Sequence, residues 1–104
     1  MNLTDPSLLE CRAFLGGEWV ASDARITVRD PARGTILAEV ADCTRADASQ
    51  AIDLAAKAQP DWATHTGKER AAILRRWHDL VVAHADDLAA ILTAEMGKPL
   101  AEAK

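Results

Sequence analysis

Nucleophilic, metal-binding and acid–base chemistry draw on a few residue types, and this sequence holds few of them in useful arrangements. Its two cysteines, Cys11 and Cys43, stand in Glu-Cys-Arg and Asp-Cys-Thr. They lack CxxC spacing, so they form neither a redox pair nor half of a zinc site. A reactive thiol needs a cation, a base or a helix N-terminus beside it to favour its thiolate. Cys43 precedes a predicted helix start at Thr44, but on the outer side of the cap and with no partner in the sequence. Both cysteines read as ordinary reduced thiols. The histidines are His65, His78 and His84; the last two are six residues apart, and no pair is four apart. An HExxH-type zinc site is therefore excluded. His84 falls on an apolar stripe and reads as a packed side chain. Asp86-Asp87 reads as solvated acids in a helix first turn, where the dipole favours them. Arg75-Arg76 reads as a solvated helix face whose stems cover Trp77. The five glycines fall in no phosphate-binding pattern of the GxGxxG or GxxxxGK type. Taken residue by residue, the sequence contains no active site.

Composition narrows the classes. The formal net charge is −4, from 12 basic and 16 acidic residues that are interspersed. No basic stripe is present, which argues against a nucleic-acid partner. No apolar run is long enough to span a bilayer, and the N-terminus MNLTDPSLLECRAF lacks the pattern of a signal peptide. A cytoplasmic protein is the expectation. Hydrophobic residues make up 49% of the 104 residues, yet there are only three Trp, one Phe and no Tyr. A core built from so few bulky side chains is thin, so part of the apolar surface is expected to lie against something outside this chain.

The elements that would position any site follow from periodicity and turn chemistry. Residues 1–42 read as short antiparallel strands. Gly16-Gly17 between Phe14-Leu15 and Trp19-Val20 marks a tight hairpin. Ile26–Arg29 and Ile36–Val40 alternate as half-buried strands around the turn Asp30-Pro-Ala-Arg-Gly34. Residues 43–104 read as helices. Thr44-Arg-Ala-Asp47 and Thr66-Gly-Lys-Glu69 are capping boxes. Ala48, Ala51, Ile52, Ala55 and Ala58 share one face of the first helix, which Pro60 is expected to end or bend, with Trp62 folding back over the end. Ile73, Trp77, Leu80, Val81, His84 and Leu88 form the stripe of the second, with a break near Asp86. Gly97 closes the third helix, and Pro99 opens a fourth, as the first residue of Pro99-Leu-Ala-Glu-Ala-Lys104. The expected class is α/β, in the form of a small α+β arrangement of hairpin strands followed by three to four helices.

Five stretches in this order carry a family resemblance: FLGGEWV, RDPARGTILAEV, ADASQAIDLAAKAQPDW, TGKERAAILRRWHDL and DDLAAILTAEMGKPLAEAK. Together they resemble the N-terminal part of an NAD(P)-dependent aldehyde dehydrogenase, in particular the succinate-semialdehyde dehydrogenase branch, over Leu9 to Lys104. The resemblance implies a chain several times longer, with residues 1–104 forming the first part of the cofactor-binding domain. The Rossmann-like sheet, catalytic domain and oligomerisation arm would lie beyond Lys104. It implies oxidation of an aldehyde by a cysteine thiolate through a thiohemiacetal, hydride transfer to NAD or NADP, and hydrolysis with a glutamate base. Those residues sit in Gly-Gln-x-Cys and Glu-Leu-Gly-Gly settings. Neither Cys11 nor Cys43 matches, and Glu18 is not the base. The implied catalytic and cofactor-binding residues in this chain are therefore none, and the chain alone is expected to be inactive. The implied partners are the remainder of the enzyme and further copies of it in a homo-oligomer. One site does carry over: the carbonyls of Val28 and Arg29 with the carboxylate of Glu95, for a monovalent cation held by hard oxygen ligands. The other expectation left open is a stand-alone helical interaction module without catalysis.

Overall fold

A computed structural model describes residues 1–104. The chain runs through four strands, then four helices. β1 (Ala13–Leu15) pairs antiparallel with β2 (Glu18–Val20), and β3 (Arg25–Arg29) pairs antiparallel with β4 (Ile36–Ala41). The hairpins form two separate two-stranded sheets. Gly16 and Gly17 have φ of 60° and 87°, the left-handed pair that a two-residue turn between twisted strands requires. Phe14 lies opposite Trp19, with ring centroids 4.9 Å apart. In the second hairpin, Asp30 accepts the N–H of Ala32 and of Arg33 on Oδ1, at 2.7 and 3.2 Å. Gly34, at φ 70°, donates back to the Asp30 carbonyl at 2.7 Å.

Both capping boxes form. At the start of α1 (Arg45–Thr64), Asp47 accepts the Thr44 N–H at 2.7 Å while Thr44 Oγ1 accepts the Asp47 N–H at 3.2 Å. At the start of α2 (Gly67–Ala83), Glu69 and Thr66 repeat the exchange at 2.7 and 3.2 Å. These N–H bonds hold both carboxyl groups below their ordinary pKa values. The predicted break falls at His84, between α2 and α3 (Ala85–Met96). Gly97 ends α3 at φ 76°.

Of the two outcomes expected at Pro60, an end does not occur: α1 continues one turn further, to Thr64. The carbonyl of Asp61 is taken by the Thr64 hydroxyl at 2.7 Å and faces His65 Nδ1 at 3.0 Å, so side chains stabilise the turn beyond the proline. Trp62 accordingly stays within the helix, with its ring 5.9 Å from that of His65. Pro99 caps α4 (Leu100–Ala103) from outside rather than forming its first residue: its carbonyl accepts the N–H of Glu102 and Ala103 at 2.9 and 3.1 Å.

These elements enclose little. Only Ala89 and Asp87 are buried, both on α3. A folded monomer of this mass exposes about 5,700 Å², whereas this chain exposes 7948 Å². The radius of gyration is 16.6 Å, against about 13 Å for a compact domain of this length. The surplus surface of about 2,300 Å² includes the α2 stripe. Trp77, Leu80 and Val82 are 60–66% exposed, and α2 contains no buried residue.

Candidate functional site

The chemistry-bearing residues stay apart. Cys11 is half-buried and Cys43 exposed, and both are free thiols. Cys43 lines a crevice with Asp23, Asp42 and Asp47, among whose lining residues there is neither a cation nor an imidazole. His65 closes α1, His78 faces its neighbour Asp79 at 3.1 Å, and His84 sits half-buried between α2 and α3. Glu18 is exposed in β2. Arg75 and Arg76 are exposed on α2.

The acidic pair splits in a way its sequence did not announce. Asp86 is solvated and pairs with Lys104 Nζ at 2.7 Å. Asp87 is 7% exposed, which corrects its reading as a solvated first-turn acid. Its two oxygens accept the backbone N–H groups of Thr4 and Asp5 at 2.9 and 2.8 Å. Those two bonds hold its carboxyl below the ordinary aspartate range, against the opposing effect of burial. Asp5 turns its own carboxylate to the N–H and hydroxyl of Ser7, at 3.0 and 2.6 Å, and starts a single 3-10 turn, Pro6–Leu8. A lone acid anchored by chain more than eighty residues away leaves no local pattern to read.

The proposed cation ligands come from two elements, β3 and α3, and the residues just beyond them, Pro31 and Gly97, lie together. Val28 and Arg29 end β3 at an irregularity in its register with β4, and a bulge leaves backbone groups outside the regular ladder. The Arg29 guanidinium turns away to the Gly34 carbonyl at 3.0 Å. Glu95 is exposed in the last turn of α3. The end of α3 packs on the turn after β3: a Cβ placed on Gly97 would lie 3.1 Å from Pro31 Cγ. A cavity of about 430 Å³ opens beside that contact among Met1, Asp30, Arg33, Leu37, Thr93 and Leu100, and Val28, Arg29 and Glu95 are not among its lining residues. Thr93 Oγ1 is buried without a hydrogen-bond partner. The donor types, carbonyl and carboxylate oxygen, suit a hard monovalent cation.

The remaining candidate surface is the apolar face already described: small alanines on α1 and the stripe Ile73, Trp77, Leu80 and Val81 on α2. Exposed apolar areas of several hundred Å² mark contacts with another surface. No helix is long and apolar enough to cross a membrane.

Comparison with known proteins shows the family of the chain. The model of the aldehyde dehydrogenase family matches residues 19–104, and this chain belongs to that family. It matches the N-terminal region of the family's fold. It is 44% identical over 106 aligned residues to the glutarate-semialdehyde dehydrogenase of Pseudomonas putida KT2440, covering 100% of this chain and 22% of that protein. It is 46% identical over 105 to the 3-sulfolactaldehyde dehydrogenase of Pseudomonas putida, with 99% and 22% covered. The crystal structure of succinate-semialdehyde dehydrogenase from Burkholderia pseudomallei superposes with a TM-score of 0.94 at 53% identity, over 99% of this chain and 22% of that one. The chain thus spans about a fifth of the length of these relatives.

Proposed function

We propose that this chain is the scaffold segment of an NAD(P)-dependent aldehyde dehydrogenase, and that it is catalytically silent by itself. The observation that carries this reading is the match of the entire chain to one fifth of its relatives, joined to a surface too open for a self-contained domain. In the whole enzyme, residues 1–104 form the first part of the cofactor-binding domain. The strands of residues 1–42 and the helices of residues 43–104 buttress the dinucleotide site, which other parts of the polypeptide supply. NAD or NADP accepts the hydride there, and a cysteine and glutamate outside this chain carry the acyl chemistry. The enzyme works in the cytoplasm as a homo-oligomer.

The substrate class follows from chemistry shared by the relatives. Succinate semialdehyde, glutarate semialdehyde and 3-sulfolactaldehyde are short aldehydes with an anionic group at the far end. Proteins named for these three are similar to this chain at 44–53% identity. We therefore assign the whole enzyme a short aldehyde with a terminal carboxylate or sulfonate. Val28, Arg29 and Glu95 hold a monovalent cation that ties the end of β3 to the end of α3.

The test is direct. The purified chain is assayed with NAD and with NADP against all three aldehydes, following absorbance of the reduced nicotinamide. No turnover above the protein-free rate is expected. Turnover that co-purifies with the chain and survives removal of host dehydrogenases would refute the reading.

A further inference from the structure

We propose that Asp87 and the backbone of Thr4 and Asp5 form a strap that sets the orientation of the strand half, residues 1–42, against the helical half, residues 43–104. The two halves share almost no polar connection. The hydrogen bonds from Thr4 and Asp5 to Asp87 are the only ones that cross between them, and none of the three ion pairs does so. Elsewhere the halves meet through apolar groups, as where Leu54 of α1 lies against Gly16 and Pro31 against Gly97. Apolar contact is non-directional. Hydrogen bonds to both oxygens of one carboxylate fix direction as well as distance.

The groups around Asp87 leave it free for this task. Four of them share its crevice with side chains that titrate or bond: Thr4, Asp5, His84 and Asp86. Asp5 is committed to Ser7, and Asp86 to Lys104. The strap is held at its other end too. Beyond the 3-10 turn, the Cys11 carbonyl accepts the N–H of Ala41, at the end of β4, at 2.8 Å. The segment from Thr4 to Cys11 therefore runs from α3 to the second sheet with a fastening at each end. Asp87 acts as a positioning residue, through the backbone it holds.

Site-resolved amide hydrogen exchange on this chain tests the strap. In Asp87→Ala, Thr4 and Asp5 should exchange faster by roughly tenfold or more, the effect of losing charge-assisted bonds. Ala41 should accelerate as well, because its acceptor rides on the released segment. Asp42, which donates to the Ala24 carbonyl at 3.1 Å, should keep its wild-type rate and serves as the control. Unchanged rates at Thr4 and Asp5 would overturn the proposal. So would acceleration confined to those two, because Asp87 would then pin a loose end and nothing more. Should Asp87→Ala lose protection throughout, Thr4→Pro removes one donor and keeps the carboxylate. Faster exchange at Asp5 and Ala41 in that variant supports the strap, and wild-type rates there overturn it.

Discussion

Trp77 offers the sharpest reading of the open α2 face. A tryptophan side chain covers about 150–250 Å² when buried, and Trp77 is 66% exposed in this chain. About one third of its area, on the order of 50–85 Å², is hidden here. At about 25 cal/mol per Å², Trp77→Ala should cost this chain about 1–2 kcal/mol, partly offset by the better helix propensity of alanine. A tryptophan fully covered in a packed enzyme costs about 3–5 kcal/mol on truncation. The assay is urea unfolding followed by circular dichroism, applied to wild type and variant, first in this chain and then in the whole enzyme. The cost should at least double in the enzyme. Equal costs in both settings would mean that nothing covers the face, and the scaffold reading would lose its main physical support. A cost of about 4 kcal/mol in this chain alone would mean that the face is already buried by self-association, which sedimentation would reveal.

Other expected outcomes follow from single residues. Gly16→Ala and Gly17→Ala both force a side chain into the left-handed region, at about 1–2 kcal/mol each. Only at Gly16 would the new Cβ also meet another side chain, lying 2.8 Å from Leu54 Cδ1; thermal melts should rank Gly16→Ala as the more damaging. Thr66→Ala should destabilise α2 by about 1 kcal/mol, read as a drop in helical ellipticity and in urea midpoint. Glu69 has its pKa lowered from 4.5, first by the Thr66 N–H and then by its hydroxyl. The folded state therefore binds its proton less readily, and stability from this cap is complete above about 4.5 and declines as pH falls through the lower folded value. Glu69→Gln should flatten that acid-side decline in a pH series of melts.

Legibility in the sequence tracked the range of the interaction. Gly16-Gly17, Thr44 with Asp47, Thr66 with Glu69, and Gly97 act within a few residues, and each does in the structure what its spacing implies. Pro60 placed the end of α1 only to within a turn: the helix runs on to Thr64, where the Thr64 hydroxyl and a ring nitrogen of His65 meet the Asp61 carbonyl. Asp87 misleads because its partners lie at Thr4 and Asp5, and no local pattern encodes a contact across that separation. The apolar stripe on α2 was readable as a stripe, but periodicity cannot say whether the covering surface is in the same chain. The reading that it is not rests on the exposure of α2 in the fold and on relatives about five times longer. The proposed cation ligands rest on family resemblance, since two of the three are backbone carbonyls that no side-chain pattern marks.

The central claim is that this chain is one part of an aldehyde dehydrogenase, shaped to be covered by the rest. Complementation measures it most directly: the chain is co-expressed with a separate polypeptide supplying the remaining four fifths of a close relative, and NAD(P)-dependent oxidation of succinate semialdehyde is recorded. Activity should require both polypeptides and be abolished when Trp77 and Leu80 are both replaced by Asp. Activity from the larger polypeptide alone, or activity indifferent to those two substitutions, would contradict the account.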